Sequence, residues 1–120
     1  MSLDVNLIRV KTLECDCGTV HEIDRENVYW ANITHNLTAM TTDAGIYYEL
    51  WRPSEIGITK AHQLIEPLRE GVKNMMQFST RLKEFSASNG WGTYEQFVPW
   101  VQQYLDACIE YPDALIEISI

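Results

Sequence analysis

Apolar and polar residues alternate through residues 3–14 (LDVNLIRVKTLE), the period of a strand with one buried face. The phase slips at Leu7-Ile8, where two apolar residues adjoin, and a bulge in that strand would restore it. Asp16-Cys17-Gly18 supplies turn chemistry, and residues 19–23 (TVHEI) read as the return strand of a β-hairpin. Residues 27–33 (NVYWANI), β-branched and aromatic, read as a third short strand.

The period then lengthens. Thr34 to Asn36 offer capping side chains before Leu37, Met40 and Ala44, which fall at helical spacing, and Gly45 is a natural stop. Residues 46–59 are aromatic-rich and broken by Pro53 and Gly57, which predicts a short helical turn and then a packed loop. Thr59 is placed to cap the longest helical region, whose stripe is Leu64, Ile65, Leu68, Val72, Met75 and Met76. Pro67 lacks the N–H that would bond Gln63, so a kink or break is expected there.

A shorter amphipathic turn, Thr80 to Phe85, leads into SNGWGTYE. There Thr93 and Gln96 have the spacing of a capping box. The helix that follows carries Phe97, Val101, Tyr104, Leu105, Cys108 and Ile109 on one face. Residues 114–120 (ALIEISI) alternate again, with Ile116, Ile118 and Ile120 inward. A terminal strand needs a partner, and the hairpin is the available sheet. The fold class is therefore α+β: a small, mostly antiparallel sheet from the N-terminal hairpin and the C-terminal strand, packed against two or three helices. Residues 1–120 form a single domain.

Composition narrows the function. A net charge of −8, with nine scattered Lys and Arg, opposes non-specific nucleic-acid binding, which needs a basic stripe. No run reaches the roughly 18 apolar residues of a membrane span, and no secretory signal is legible, so the expected setting is cytoplasmic. Three cysteines without such a signal read as reduced thiols. No phosphate-loop, dinucleotide or nucleophile-elbow signature occurs, so no cofactor is implied.

Four stretches carry candidate chemistry. Cys15, Cys17 and His21, with His35, are zinc-type ligands, but C-x-C is not the spacing of zinc knuckles. Small turn residues in a hairpin are the simpler account of them. Asn32, His35 and Asn36 set amides and an imidazole just before a helix start, which suits a polar ligand but also suits capping. Arg52, between Trp51 and Pro53, can hold an anion or stack on a ring, or pair with one of the chain's own 17 acids. Asn89 and Trp91 frame the turn before the last helix, where Trp91 either fills a core edge or faces a ligand.

The ordered set NITHNL, AGIY, LWRP, EIGITKA, SNGWGTYE and ACIEYPDA resembles a family of small uncharacterised proteins common in bacteriophage genomes, over about residues 28–120. The resemblance implies expression in a bacterial host cytoplasm and brings no activity or site residue with it. The expectation is a non-enzymatic accessory phage protein. It would bind a small polar, nucleotide-derived ligand or a host protein through Asn32, His35, Asn36, Arg52, Asn89 and Trp91, with counter-defence as one use. The rivals are a small enzyme with His35 as general base, and an oligomer-forming interaction protein with Trp51, Trp91 and Trp100 at an interface.

Overall fold

A computed structural model describes residues 2–14, 18, 20–86, 90 and 92–120, with the side chains of 12–14 and 20–23 left aside. Cys15, Cys17, Asn89 and Trp91, and the side chain of His21, thus lie outside the described residues.

The α+β architecture follows the alternation. Strands β1 (Ser2–Glu14), β2 (Val20–Thr34) and β3 (Leu115–Ser119) form an antiparallel sheet in the order β2-β1-β3. The two segments read separately as 19–23 and 27–33 are one continuous strand. Asp24, Arg25 and Glu26 pair with Lys11, Val10 and Arg9 and bridge them, so charge did not mark a turn there. The expected irregularity at Leu7/Ile8 is present, but β2 carries it. Leu7 faces Tyr29 and Ile8 faces Asn27, so the extra residue is Val28.

One face of the sheet is buried. Leu3, Val5 and Leu7 are fully covered, with Ile33 beside them. They pack against α1 (Thr38–Asp43), α2 (Tyr47–Trp51), α3 (Ile65–Gln77), α4 (Ser79–Lys83) and α5 (Tyr94–Glu110). Most of the helical core comes from Leu68, Val72 and Met75 of α3 and from Phe97, Val101, Tyr104, Leu105 and Cys108 of α5. Met76, Ile109 and Ile120, placed inward on the apolar stripes, are exposed instead. Each falls at the margin of its stripe, where no element among the described residues covers it.

Local signals explain the helix ends. The Thr93–Gln96 capping box forms: Thr93 Oγ1 accepts from the Gln96 N–H at 3.3 Å, and Gln96 Oε1 accepts from the Thr93 N–H at 3.2 Å. Pro67 marks a break, since residues 61–64 are a 3₁₀ turn and α3 starts at Ile65. In that first turn its missing N–H would have had no partner, so the proline costs little. Thr59 does not cap this region. Gln63 Oε1 does so, accepting from the N–H groups of Thr59 (2.9 Å) and Lys60 (3.0 Å).

β3 pairs only with Asp4 to Ile8, so β1 and β2 continue beyond it as a two-stranded ribbon. The molecule is accordingly long, 59 × 26 × 23 Å, with a radius of gyration of 16.1 Å against about 14 Å for a compact chain of this size.

Candidate functional site

The nominated side chains sit in different surroundings. His35 follows the end of β2, and its imidazole lies against Trp51 with ring centroids 6.0 Å apart. Its Nε2 is buried and has no hydrogen-bond partner among the described residues. Among the described residues no three His, Cys, Asp or Glu side chains cluster as metal ligands would.

Arg52 projects outward after α2. Its Nε donates to Tyr47 Oη at 3.3 Å and its Nη1 to Glu55 at 3.2 Å, which raises its pKa above the ordinary value. The pairing with an acid of its own chain, weighed in the sequence, is the one observed. Trp51, expected at an interface in one reading, is buried, with Tyr47 stacked on it at 5.8 Å. Arg52 and Trp51 border a groove of about 430 Å³ that runs beside β3.

Asn32 belongs to a second, separate groove of about 320 Å³, with Thr34, Gly90, Gly92 and Trp100. Here two of the sequence motifs meet. Gly92 has φ +93°, and a Cβ on it would stand 3.0 Å from Thr34 Cγ2, 3.1 Å from Asn36 Cβ and 3.2 Å from Leu37 Cγ. Glycine is needed for both the backbone conformation and the close approach. Gly92 and the Thr34–Leu37 stretch are thus complementary parts of one loop contact. Asn36 contributes its N–H, which Thr34 Oγ1 accepts at 3.3 Å. Trp100, half-buried, donates its indole N–H to the Asn32 carbonyl at 3.0 Å, which fastens α5 to the edge of β2.

A residue the sequence reading passed over is the most conspicuous. The pairing places Trp30, Asn6 and Glu117 in one row across the three strands, next to the row of Asn32, Asp4 and Ser119. These six residues occupy the face of the sheet away from the helices. Asn32 Nδ2 donates to Asp4 Oδ1 at 2.6 Å, the amides of Asn6 and Asn27 meet at 2.9 Å, and Arg25 pairs with Glu117 at 3.0 Å. Within this polar lattice Trp30 is 62% exposed. Its phase was legible, because Tyr29, Ala31 and Ile33 are the inward set and Trp30 lies between them.

Buried polar chemistry is confined to the core. Tyr29 stacks on Tyr104 at 5.8 Å, and Tyr104 Oη is buried without a partner among the described residues. Burial raises the pKa of both phenols, and it pushes the Cys108 thiol up to about 12. That thiol stays protonated and inert near neutrality. No helix among the described residues is long and apolar enough to cross a membrane. Compared with known protein families, curated proteins and solved structures, the chain matches none.

Proposed function

We propose that this is a non-enzymatic binding protein that docks on another protein through the open face of its sheet, with Trp30 as the anchor. The observation that carries this reading is the exposure of Trp30 on the polar face of the sheet turned away from the helices, on its edge strand β2. An indole left 62% in water keeps roughly 150 Å² uncovered, worth about 4 kcal/mol on burial. Tryptophan beside amides and carboxylates has the makeup of an interface anchor next to a polar rim. The dispersal of Asn32, His35 and Arg52 supports binding over catalysis. In the phage setting that the sequence motifs imply, the partner is a host protein, and counter-defence is one purpose such binding would serve.

The test is affinity capture from a bacterial lysate with wild type, Trp30→Ala and Tyr48→Ala, the last an exposed aromatic elsewhere. A captured protein is then purified and titrated calorimetrically. The reading expects a complex that Tyr48→Ala keeps and Trp30→Ala weakens roughly a hundredfold. Complexes indifferent to Trp30 would overturn it. So would a large rise in melting temperature with nucleotides or cyclic nucleotides, which would restore the small-ligand reading.

A further inference from the structure

The charges on the open face of the sheet do not cancel. Glu117 is answered by Arg25 at 3.0 Å. Asp4 is answered by no cation: the partner of its side chain among the described residues is the Asn32 amide, whose Nδ2 donates to Oδ1 at 2.6 Å. An amide holds a carboxylate in place without neutralising it, so Oδ1 is fixed and Oδ2 is left to accept. On a chain of net −8, a cation is the group that such a carboxylate attracts.

Backbone directions place that carboxylate beside Trp30. Trp100 donates to the Asn32 carbonyl from outside the sheet at 3.0 Å, so the backbone groups of Asn32 point away from β1. Alternate residues of a strand share that direction, and Trp30 therefore does too. At the other edge the Ile116 N–H donates to the Thr59 carbonyl at 3.0 Å, so Ile116 also faces away and its pair Leu7 turns to β2. Both edges give the same phase. Asn32 with Asp4, and Trp30 with Asn6, are non-hydrogen-bonded pairs, the type whose side chains stand closer. The right-handed twist shortens one diagonal between these two rows, the one from Trp30 to Asp4, to about 7 Å between Cα atoms. One long side chain can cover that span. Trp30 keeps 62% of its surface in water, so its ring is open to such a neighbour.

We propose that the partner docking on this face delivers an arginine, whose guanidinium lies flat on the Trp30 indole and donates to the Asp4 carboxylate. The inference rests on the docking reading of the open face and names the chemistry of the partner there. Arginine suits the site better than lysine. Its planar fork can stack on a ring and pair edge-on with a carboxylate at once, whereas an ammonium is a compact, strongly hydrated point charge. Asn32 is then a positioning residue: its amide orients the Asp4 carboxylate, while its carbonyl is tied to Trp100.

The test titrates the labelled protein with the blocked tripeptides Gly-Arg-Gly, Gly-Lys-Gly and Gly-Gln-Gly in about 0.1 M salt, where distant charges are screened. The Trp30 indole N–H and the Asp4 amide are followed by NMR. Gly-Arg-Gly should shift both signals and bind at least about threefold more tightly than Gly-Lys-Gly, with no saturable shift from Gly-Gln-Gly. Asp4→Asn can keep the bond to Asn32 and removes the charge, so it should weaken Gly-Arg-Gly about fivefold. Trp30→Ala, followed at the Asp4 amide, should weaken it about as much. Glu70→Gln removes the same charge from the exposed side of α3, away from this face, and should change binding by less than about twofold. Equal binding of the arginine and lysine peptides, or equal losses in Asp4→Asn and Glu70→Gln, would overturn the inference. The docking reading is judged separately, on a complex captured from lysate. A complex that needs Trp30 but ignores Asp4→Asn overturns the arginine alone, and one that ignores both overturns both.

Discussion

Gly71 lies in the middle of α3, buried, where a Cβ would stand 2.5 Å from Ile46 Cγ2 and 3.2 Å from Ile46 Cδ1. Intrinsic propensity favours Gly71→Ala by about 1 kcal/mol in a helix interior. Overpacking opposes it by about 1–3 kcal/mol, and the upper end applies because Ile46 is 2% exposed and β-branched, so its χ1 cannot swing the methyl aside. The expected net loss is about 1–2 kcal/mol, or some 3–6 °C in Tm. Ile46→Ala alone should cost about 2–5 kcal/mol through the cavity it leaves. In that background the nearest remaining atom is the Cβ at 3.6 Å, an ordinary contact, so Gly71→Ala becomes stabilising by about 1 kcal/mol. Urea unfolding of the four proteins in this cycle measures the coupling, about 2–3 kcal/mol. A stabilised single variant, or additivity within about 0.5 kcal/mol, would refute the reasoning. The contact also bears on the groove, because Ile46 immediately precedes α2 and so sets where Trp51 and Arg52 stand.

Gly92→Ala should lose at least about 2 kcal/mol, read by chemical denaturation, because it meets both the positive φ and the Thr34–Leu37 surface. Trp30→Ala should change unfolding free energy by less than about 0.5 kcal/mol, whereas Trp51→Ala should cost about 3–5 kcal/mol; equal losses would contradict the burial of one and the exposure of the other. Cys108 has a folded pKa raised from its ordinary 9.0 to about 12, so its contribution is complete below pH 9 and is lost as pH rises to 12. Stability should therefore fall across that window, by up to about 1.4 kcal/mol per pH unit for this proton, with Tyr29 and Tyr104 adding to the alkaline loss. Cys108→Ala should flatten part of the slope, and a pH-independent unfolding free energy between 9 and 12 would count against the buried thiol. The native thiol should also resist alkylation at neutral pH until the protein unfolds.

Periodicity carried most of the fold. The alternation of residues 3–14 and 114–120, the stripe from Leu64 to Met75 and the Thr93–Gln96 box each describe forces acting within a few residues, and each formed. What local pattern could not show was where elements stop being covered. Met76, Ile109 and Ile120 repeat the period of their neighbours yet face water, because burial depends on which element lies opposite. The continuity of β2 was hidden for a related reason: Asp24, Arg25 and Glu26 have loop-like composition but pair across to β1. For the candidate site, the chemistry of single residues was legible and their grouping was not. Arg52 and Asn32 border different grooves, and the contact of Gly92 with Asn36 joins segments more than fifty positions apart.

The order of strands has a consequence in time. β1 is the middle strand, yet one of its neighbours follows it closely in the chain while the other, β3, comes after α1 to α5. On a ribosome the hairpin emerges first and must wait as a two-stranded ribbon, marginal by itself, until residues 115–119 are made. The slowest step in folding should then be the closure of β3 onto β1, a pairing between positions more than a hundred residues apart. Until that closure the hydrogen-bonding groups of Asp4, Asn6 and Ile8 are open to any passing strand, so a chain stalled late in synthesis is its most aggregation-prone form.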